Sequence, residues 1–232
     1  MFKQRAHDVP FSDRTQAGRL LGQALLHYRE RNDVVVLALP RGGVPVAFEV
    51  VKAINASLDL MLVRKLGTPG QEELAMGAIA WGGVRVLNPD IIGSLGISAE
   101  TIDAVASREG KELERRQRAY RGDRPPPQVQ GRCVILVDDG LATGATMRSA
   151  VKALRQQHPA RIVVAVPVAP PDTVETLGHE ADEVVCLATP EPFMAIGRWY
   201  LEFPQTSDDE VKDLLRRAWT PAGGPAAAGA GP

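Results

Sequence analysis

Two adjacent carboxylates, followed within a few residues by a run of small and hydroxylated side chains, give this chain its clearest chemistry. The stretch reads Val134-Ile135-Leu136-Val137-Asp138-Asp139-Gly140-Leu141-Ala142-Thr143-Gly144-Ala145-Thr146-Met147. A short apolar run bounded by turn residues suits a strand buried on both faces. The small residues after it open a helix predicted over about 145–157. Backbone N–H groups at a helix N-terminus can surround a phosphate, and small side chains let it approach. The hydroxyls of Thr143 and Thr146 add donors. Asp138 and Asp139 would repel a phosphate. They suit sugar hydroxyls, or a hydrated Mg2+, at the other end of the same ligand. An anion cradle beside an acidic pair reads as a site for a sugar phosphate.

This stretch resembles the 5-phosphoribosyl 1-diphosphate (PRPP) signature of the type I phosphoribosyltransferases: hydrophobic residues, two acids, a spacer, then Thr-Gly-x-Thr. The resemblance implies that Asp138 and Asp139 bind the ribose hydroxyls and meet Mg2+, mostly through the ligand or water. It implies that Ala142, Thr143, Gly144, Ala145 and Thr146 hold the 5′-phosphate. Arg41-Gly42-Gly43 resembles the family's diphosphate loop, where glycines allow close backbone approach and arginine supplies a forked donor. A non-proline cis peptide is expected there, near Arg41-Gly42. Arg64 and Lys65 are solvated surface charges on one reading; on the resemblance, at least one of them neutralises the diphosphate. Catalysis would then rest on Arg41, Lys65, Asp138 and Asp139.

Two further segments match the family by position. The glycine-rich stretch with Gly67, Thr68, Gly70, Glu72 and Glu73 corresponds to a flexible lid, which would shield an oxocarbenium-like ribosyl centre from water. Glu73 is the candidate there for acid/base work or base contact. The segment Pro190–Phe203 is rich in aromatics and resembles, loosely, the hood of the hypoxanthine-guanine enzymes. Phe193 is its candidate stacking residue, with Trp199 and Tyr200 as alternatives; a hydrophobic lid on the core or on a dimer partner explains the same residues. Several purine enzymes of the family carry Asp just before Thr-Gly. Here Ala142 stands in that place, which is closer to the adenine enzymes.

The elements that must position these loops follow from periodicity. Asp13 with Gln16 resembles a capping box, and Leu20, Leu21, Ala24, Leu25 and Tyr28 have helical spacing, so a helix is predicted over about 14–31. Strands are predicted at 34–39, 58–63, 161–168 and 183–188, and helices at 45–56 and 171–179. Arg64-Lys65 would end the second strand, and 66–71 would be a mobile loop. Residues 76–80 and 84–87 read as a hairpin across Gly82-Gly83. A polar helix over 98–121, capped by Ser98, carries Arg108, Lys111, Arg115, Arg116, Arg118 and Arg121 among glutamates. It reads as a salt-bridged, solvated face, with anion binding as the alternative. Ser207 with Glu210 caps a last helix ending near Trp219.

Alternating strands and helices give an α/β fold: a parallel sheet flanked by helices, with right-handed crossovers and a small hood. Ligands in such sheets bind at the carboxyl ends of the strands, which gathers 41–44, 64–77 and 138–146 at one edge. The domain is expected over 13–219, with the hood within 189–206, an N-terminal extension 1–12, and a disordered Pro/Ala/Gly tail 220–232.

The totals exclude several classes. The chain has 232 residues, 44% hydrophobic and 24% charged, with a formal net charge of -1. That balance argues against bulk nucleic-acid or membrane binding. No apolar run reaches the roughly 20 residues of a membrane span. Cys133 and Cys186 suit small core residues in a reducing cytoplasm. The four histidines read as surface groups. No dinucleotide fingerprint or Gly-x-x-x-x-Gly-Lys loop is present. PRPP synthetases resemble two such domains in tandem, and this chain has one. The expected function is therefore transfer of 5-phosphoribosyl from Mg-PRPP to a nitrogen base, purine favoured, with release of diphosphate, by a cytoplasmic homodimer. The alternative is a PRPP-binding sensor without transferase activity.

Overall fold

The computed structural model describes residues 9–220. The expected tail and most of the N-terminal extension lie outside them. In chain order the elements are α1 (Arg14–Ala24), β1 (Val34–Ala38), α2 (Gly43–Ile54), β2 (Ser57–Leu60), β3 (Val63–Thr68), β4 (Gln71–Ala80), β5 (Arg85–Leu87), α3 (Pro89–Leu95), α4 (Ala99–Arg121), β6 (Cys133–Val137), α5 (Ala145–Arg155), β7 (Arg161–Val168), α6 (Pro171–Glu180), β8 (Glu183–Ala188) and α7 (Asp208–Trp219).

Five strands form a parallel sheet in the order β2-β1-β6-β7-β8. Its central strands β1 and β6 are apolar at every position because both faces are covered. In β1, Val34, Val36 and Ala38 join the core beneath α1, α2 and α7, while Val35 and Leu37 join the core beneath α5 and α6. In β6 the same alternation sends Cys133, Ile135 and Val137 to one core and Val134 and Leu136 to the other. The strand order reverses between β1 and β6. A crevice opens at such a reversal, outside the carboxyl ends of the two strands. Both cysteines are buried and free.

The helix caps read from sequence are present. The side chains of Asp13, Ser98 and Ser207 accept from the N–H groups of Gln16, Thr101 and Glu210. The first helix is shorter than its periodicity suggested: α1 stops at Ala24, and a 3-10 turn at Leu26–Tyr28 carries Tyr28 inward. No helix among the described residues is long and apolar enough to cross a membrane.

The hairpin read at 76–80 and 84–87 forms between β4 and β5, whereas the segment from β2 into β4 departs most from expectation. The strand predicted at 58–63 leaves the sheet after Leu60, and the chain re-forms as β3 in a separate antiparallel sheet, β3-β4-β5. The predicted loop 66–71 is therefore the end of one strand, a tight turn at Pro69-Gly70, and the start of the next. Gly67, Thr68, Glu72 and Glu73 belong to strands, and Arg64 and Lys65 lie inside β3 rather than at a strand end. The physical reason is a third core. Leu66, Met76 and Ile79 pack on Ile102, Val105 and Ala106 of α4, a partner for the hairpin that the local sequence does not announce.

Candidate functional site

The residues that the signature named follow the carboxyl end of β6, beside the turn that follows β1. After β1 the chain turns through Pro40-Arg41-Gly42-Gly43 into α2. The cis peptide lies between Pro40 and Arg41, one bond earlier than expected. Gly42 has ordinary helical dihedrals, so its role is spatial. A Cβ built there would stand 2.0 Å from Oδ2 of Asp139. Only a residue without a side chain lets this turn lie on the acidic pair.

The two acids differ in their surroundings. Asp139 is buried. Its Oδ2 accepts from Nε of Arg14 at 2.8 Å, and its backbone carbonyl accepts from the Tyr200 hydroxyl at 2.5 Å. Asp138 is half-buried, and its Oδ1 accepts the Asp139 N–H at 2.9 Å. Burial pushes the Asp138 carboxyl up from the ordinary range, and the neighbouring Asp139 charge pushes the same way. Burial also raises Asp139, against the opposing pull of Arg14.

Beyond them, Ala142, Thr143, Ala145 and Thr146 are exposed around the start of α5, with their backbone at a helix N-terminus. Unpaired N–H groups and the positive end of the dipole converge there. Gly144, at φ 68, makes the turn into the helix, and a Cβ on it would stand 2.8 Å from Cγ2 of Thr173. Thr173, at the start of α6, donates its hydroxyl to the Ala142 carbonyl at 2.8 Å. The cradle is thus braced from behind by a neighbouring helix.

On the opposite side, Arg41 lines a cleft of about 270 Å³ with Arg115, Arg116 and Tyr120 of α4 and with Asp208. Arg41 lies 3.6 Å from Asp208, and both α4 arginines bond Glu112. Arg116 also lines an adjoining cleft with Arg64, Lys65, Glu72 and Arg108. Arg64 donates from Nε to Glu109 at 2.9 Å, so α4 engages it directly. The helix read as a solvated face therefore has its salt bridges and also borders the Arg41 turn. Arg121 departs from that reading, since it is buried.

The segment after β8 folds over the crevice. Phe193 and Trp199 are partly buried against the core, with ring centroids 6.1 Å apart. Tyr200 is buried and hydrogen-bonded to Asp139, which removes it as a base-stacking residue and makes it a strut. Glu73 is placed on β4.

Sequence reasoning missed Arg14 and Thr173. Arg14 left one faint signal: a cation in the first turn of a helix opposes the dipole, so something else must hold it there. Thr173 left none, because its partner is a backbone carbonyl.

A divalent cation suits this donor set only in part. Among the described residues no cluster of three or more His, Cys, Asp or Glu could cage a metal. Mg2+ needs no such cage when one or two carboxylates, waters and substrate phosphates complete its shell.

Comparison with known proteins gives the family. The phosphoribosyl transferase domain model matches residues 15–192. Two Mycobacterium tuberculosis proteins, one of them named "Putative phosphoribosyl transferase Rv0571c", are 50% identical over 208 residues, which is 90% of this chain and 47% of theirs. The chain thus spans about half the length of these curated relatives. The crystal structure of TT1426 from Thermus thermophilus superposes with a TM-score of 0.80 at 43% identity, covering 89% of this chain and 98% of that one. With the domain model matching most of its length and relatives at 50% and 43% identity over about nine-tenths of it, the chain belongs to the phosphoribosyl transferase family.

Proposed function

We propose that this domain binds PRPP across the β1–β6 crevice and transfers its phosphoribosyl group to a nitrogen base, with a purine favoured. The observation that carries this reading is the convergence of three loops: the Thr143–Thr146 helix start, the acidic pair, and the glycine turn pressed on that pair. The base nitrogen forms a bond to C1 of the ribose as the C1–O bond to diphosphate breaks, and diphosphate leaves with that electron pair. The protein's part is positioning and charge neutralisation. The cradle anchors the 5′-phosphate, the acidic pair orients the sugar, and Arg41 with Lys65 and Arg64 faces the leaving group. Mg2+ bound with PRPP would supply charge neutralisation on the diphosphate, with Asp138 and Asp139 meeting it mostly through water. Phe193 and Trp199 are the aromatic surfaces available to the base. The exposed Met194 and Leu201 of the cap, 69% and 73% accessible, suit a homodimer contact. The cytoplasm is the expected place of work.

Calorimetric titration with PRPP, with and without Mg2+, followed by a panel of purine and pyrimidine bases scored for diphosphate release, tests this directly. Binding with release on one base is the expected result. Binding without release on any base would favour a sensor, and no PRPP binding would sink the reading.

A further inference from the structure

The arginines of α4 wall a groove beside the Arg41 turn. Arg115 and Arg116 enclose a cleft of about 270 Å³ with Arg41, Tyr120 and Asp208. Arg116 also lines a second cleft, of about 340 Å³, with Arg64, Lys65, Arg108, Glu72 and Glu109. The shared arginine joins the two clefts into one groove. Neither the acidic pair nor the 142–146 stretch lines it.

Its walls carry more cation than anion. Arg41, Arg64, Lys65, Arg108, Arg115 and Arg116 outnumber Asp208, Glu72 and Glu109, in a chain whose formal net charge is -1. Glu112 backs this wall, accepting from Nε of Arg115 at 2.7 Å and from Nε of Arg116 at 2.9 Å. Arg116 makes no other hydrogen bond among the described residues, so its two terminal nitrogens can serve a ligand. Planar guanidinium donors of this kind match phosphate oxygens. Arg108, Glu112 and Arg116 form one row along the helix, and Arg108 and Arg116 stand about 12 Å apart along its axis. A ligand that meets both needs more than one anionic group. The helix itself is held in place, because Arg121 at its end is buried on Asp59 and Glu109 accepts from Nε of Arg64 at 2.9 Å.

Single-stranded nucleic acid is the other polyanion to weigh, and it is bound on aromatic platforms. Among the described residues lining the groove, Tyr120 alone is aromatic, and its hydroxyl is tied to Asp208 at 2.7 Å. The clefts are also of small-molecule size.

We propose that this groove is a second anion site, separate from the β1–β6 crevice, and that it takes a small molecule carrying linked phosphates, with Arg116 as its central contact. Arg41 connects the two sites. It lies 3.6 Å from Asp208 in the groove, and the next residue, Gly42, lies against Asp139.

The test is calorimetric titration with inorganic tripolyphosphate and with a nucleoside triphosphate, at fixed Mg2+, of the protein alone and of the protein saturated with PRPP. Binding to the saturated protein, weakening as salt is raised, is the expected result. The double variant Arg115→Gln with Arg116→Gln should weaken that binding by at least about tenfold, the loss of charge-assisted hydrogen bonds. Its PRPP affinity should stay within about threefold of the wild type, which also shows that the variant is folded. Either order of affinity between the two probes supports the site. A tighter nucleoside triphosphate adds a base contact, and equal affinities assign the phosphate chain alone. No binding to the saturated protein, or simple displacement of PRPP, overturns the proposal. So does an equal loss of PRPP affinity in the variant, which would place both arginines at the leaving diphosphate. An oligonucleotide that binds more tightly than either probe through the same arginines overturns the small-molecule assignment. A wild-type protein that does not bind PRPP ends the function reading alone; the loss in the double variant, measured without PRPP, then decides the groove.

Discussion

Arg121, the last residue of α4, is buried against Asp59 of β2: Nη2 reaches Oδ2 at 3.0 Å, and Nε lies 2.9 Å from Oδ1. Their side chains are 2% and 7% exposed. The same Nη2 donates to the Pro125 carbonyl at 2.6 Å, and Asp59 accepts the Leu60 N–H at 2.8 Å. The pair pins the arginine-rich helix to the edge of the main sheet. Because burial raises the Asp59 carboxyl, the charged pair holds only while both partners are present. Arg121→Ala should lower stability by about 3–5 kcal/mol, since it leaves a buried carboxylate alone. Urea unfolding of the two proteins would show it; a change below about 1 kcal/mol would mean that water reaches Asp59.

Gly42→Ala tests the contact between the Arg41–Gly43 turn and the acidic pair. The backbone there accepts alanine, so any effect is steric. The added Cβ would meet an oxygen already fixed by Arg14, and the neighbour cannot yield cheaply. Overpacking of this kind costs about 1–3 kcal/mol. Stability measured by thermal unfolding should fall by that amount, and PRPP affinity should drop by at least about tenfold. Unchanged affinity would separate the turn from the ligand site.

Thr173→Val preserves shape and removes one hydrogen bond behind the turn that opens α5. The stability cost should be about 0.5–1.5 kcal/mol, as for a single intramolecular hydrogen bond. The Ala142 carbonyl would lose its brace, so PRPP should bind a few-fold more weakly. The check is titration of Thr173→Val beside Thr173→Ser, which keeps the donor and should retain wild-type affinity.

The thiols give a pH-dependent outcome. Burial pushes the Cys186 thiol up to about 12 and raises Cys133 in the same direction. A thiol whose folded pKa lies above its unfolded value contributes stability that is fully present below the unfolded pKa, about 8.5. That contribution fades as pH rises from there toward 12. A thiol reagent at pH 8 should therefore modify neither cysteine in the native protein and both in denaturant. Rapid native labelling of Cys186 would contradict the core around β8.

Local sequence determined much of this protein. The run of four apolar residues before Asp138, the small residues of 142–146, and the caps at Asp13, Ser98 and Ser207 are signals carried within a few positions, and each element formed where its signal lay. The parallel sheet and the crevice at its strand ends followed from the alternation of strands with helices. What only the tertiary structure decided lies in contacts between distant residues. Arg14 and Asp139 are 125 positions apart, and Arg121 and Asp59 are 62 apart. Neither pairing leaves a periodic trace, because a charged side chain is read as exposed until a partner is brought to it. The β3–β4 hairpin was hidden because its packing partner lies later in the chain. Its glycines and Pro69 read as a loop, and only the apolar face of α4, arriving from later in the chain, gives Leu66 and Met76 something to pack on.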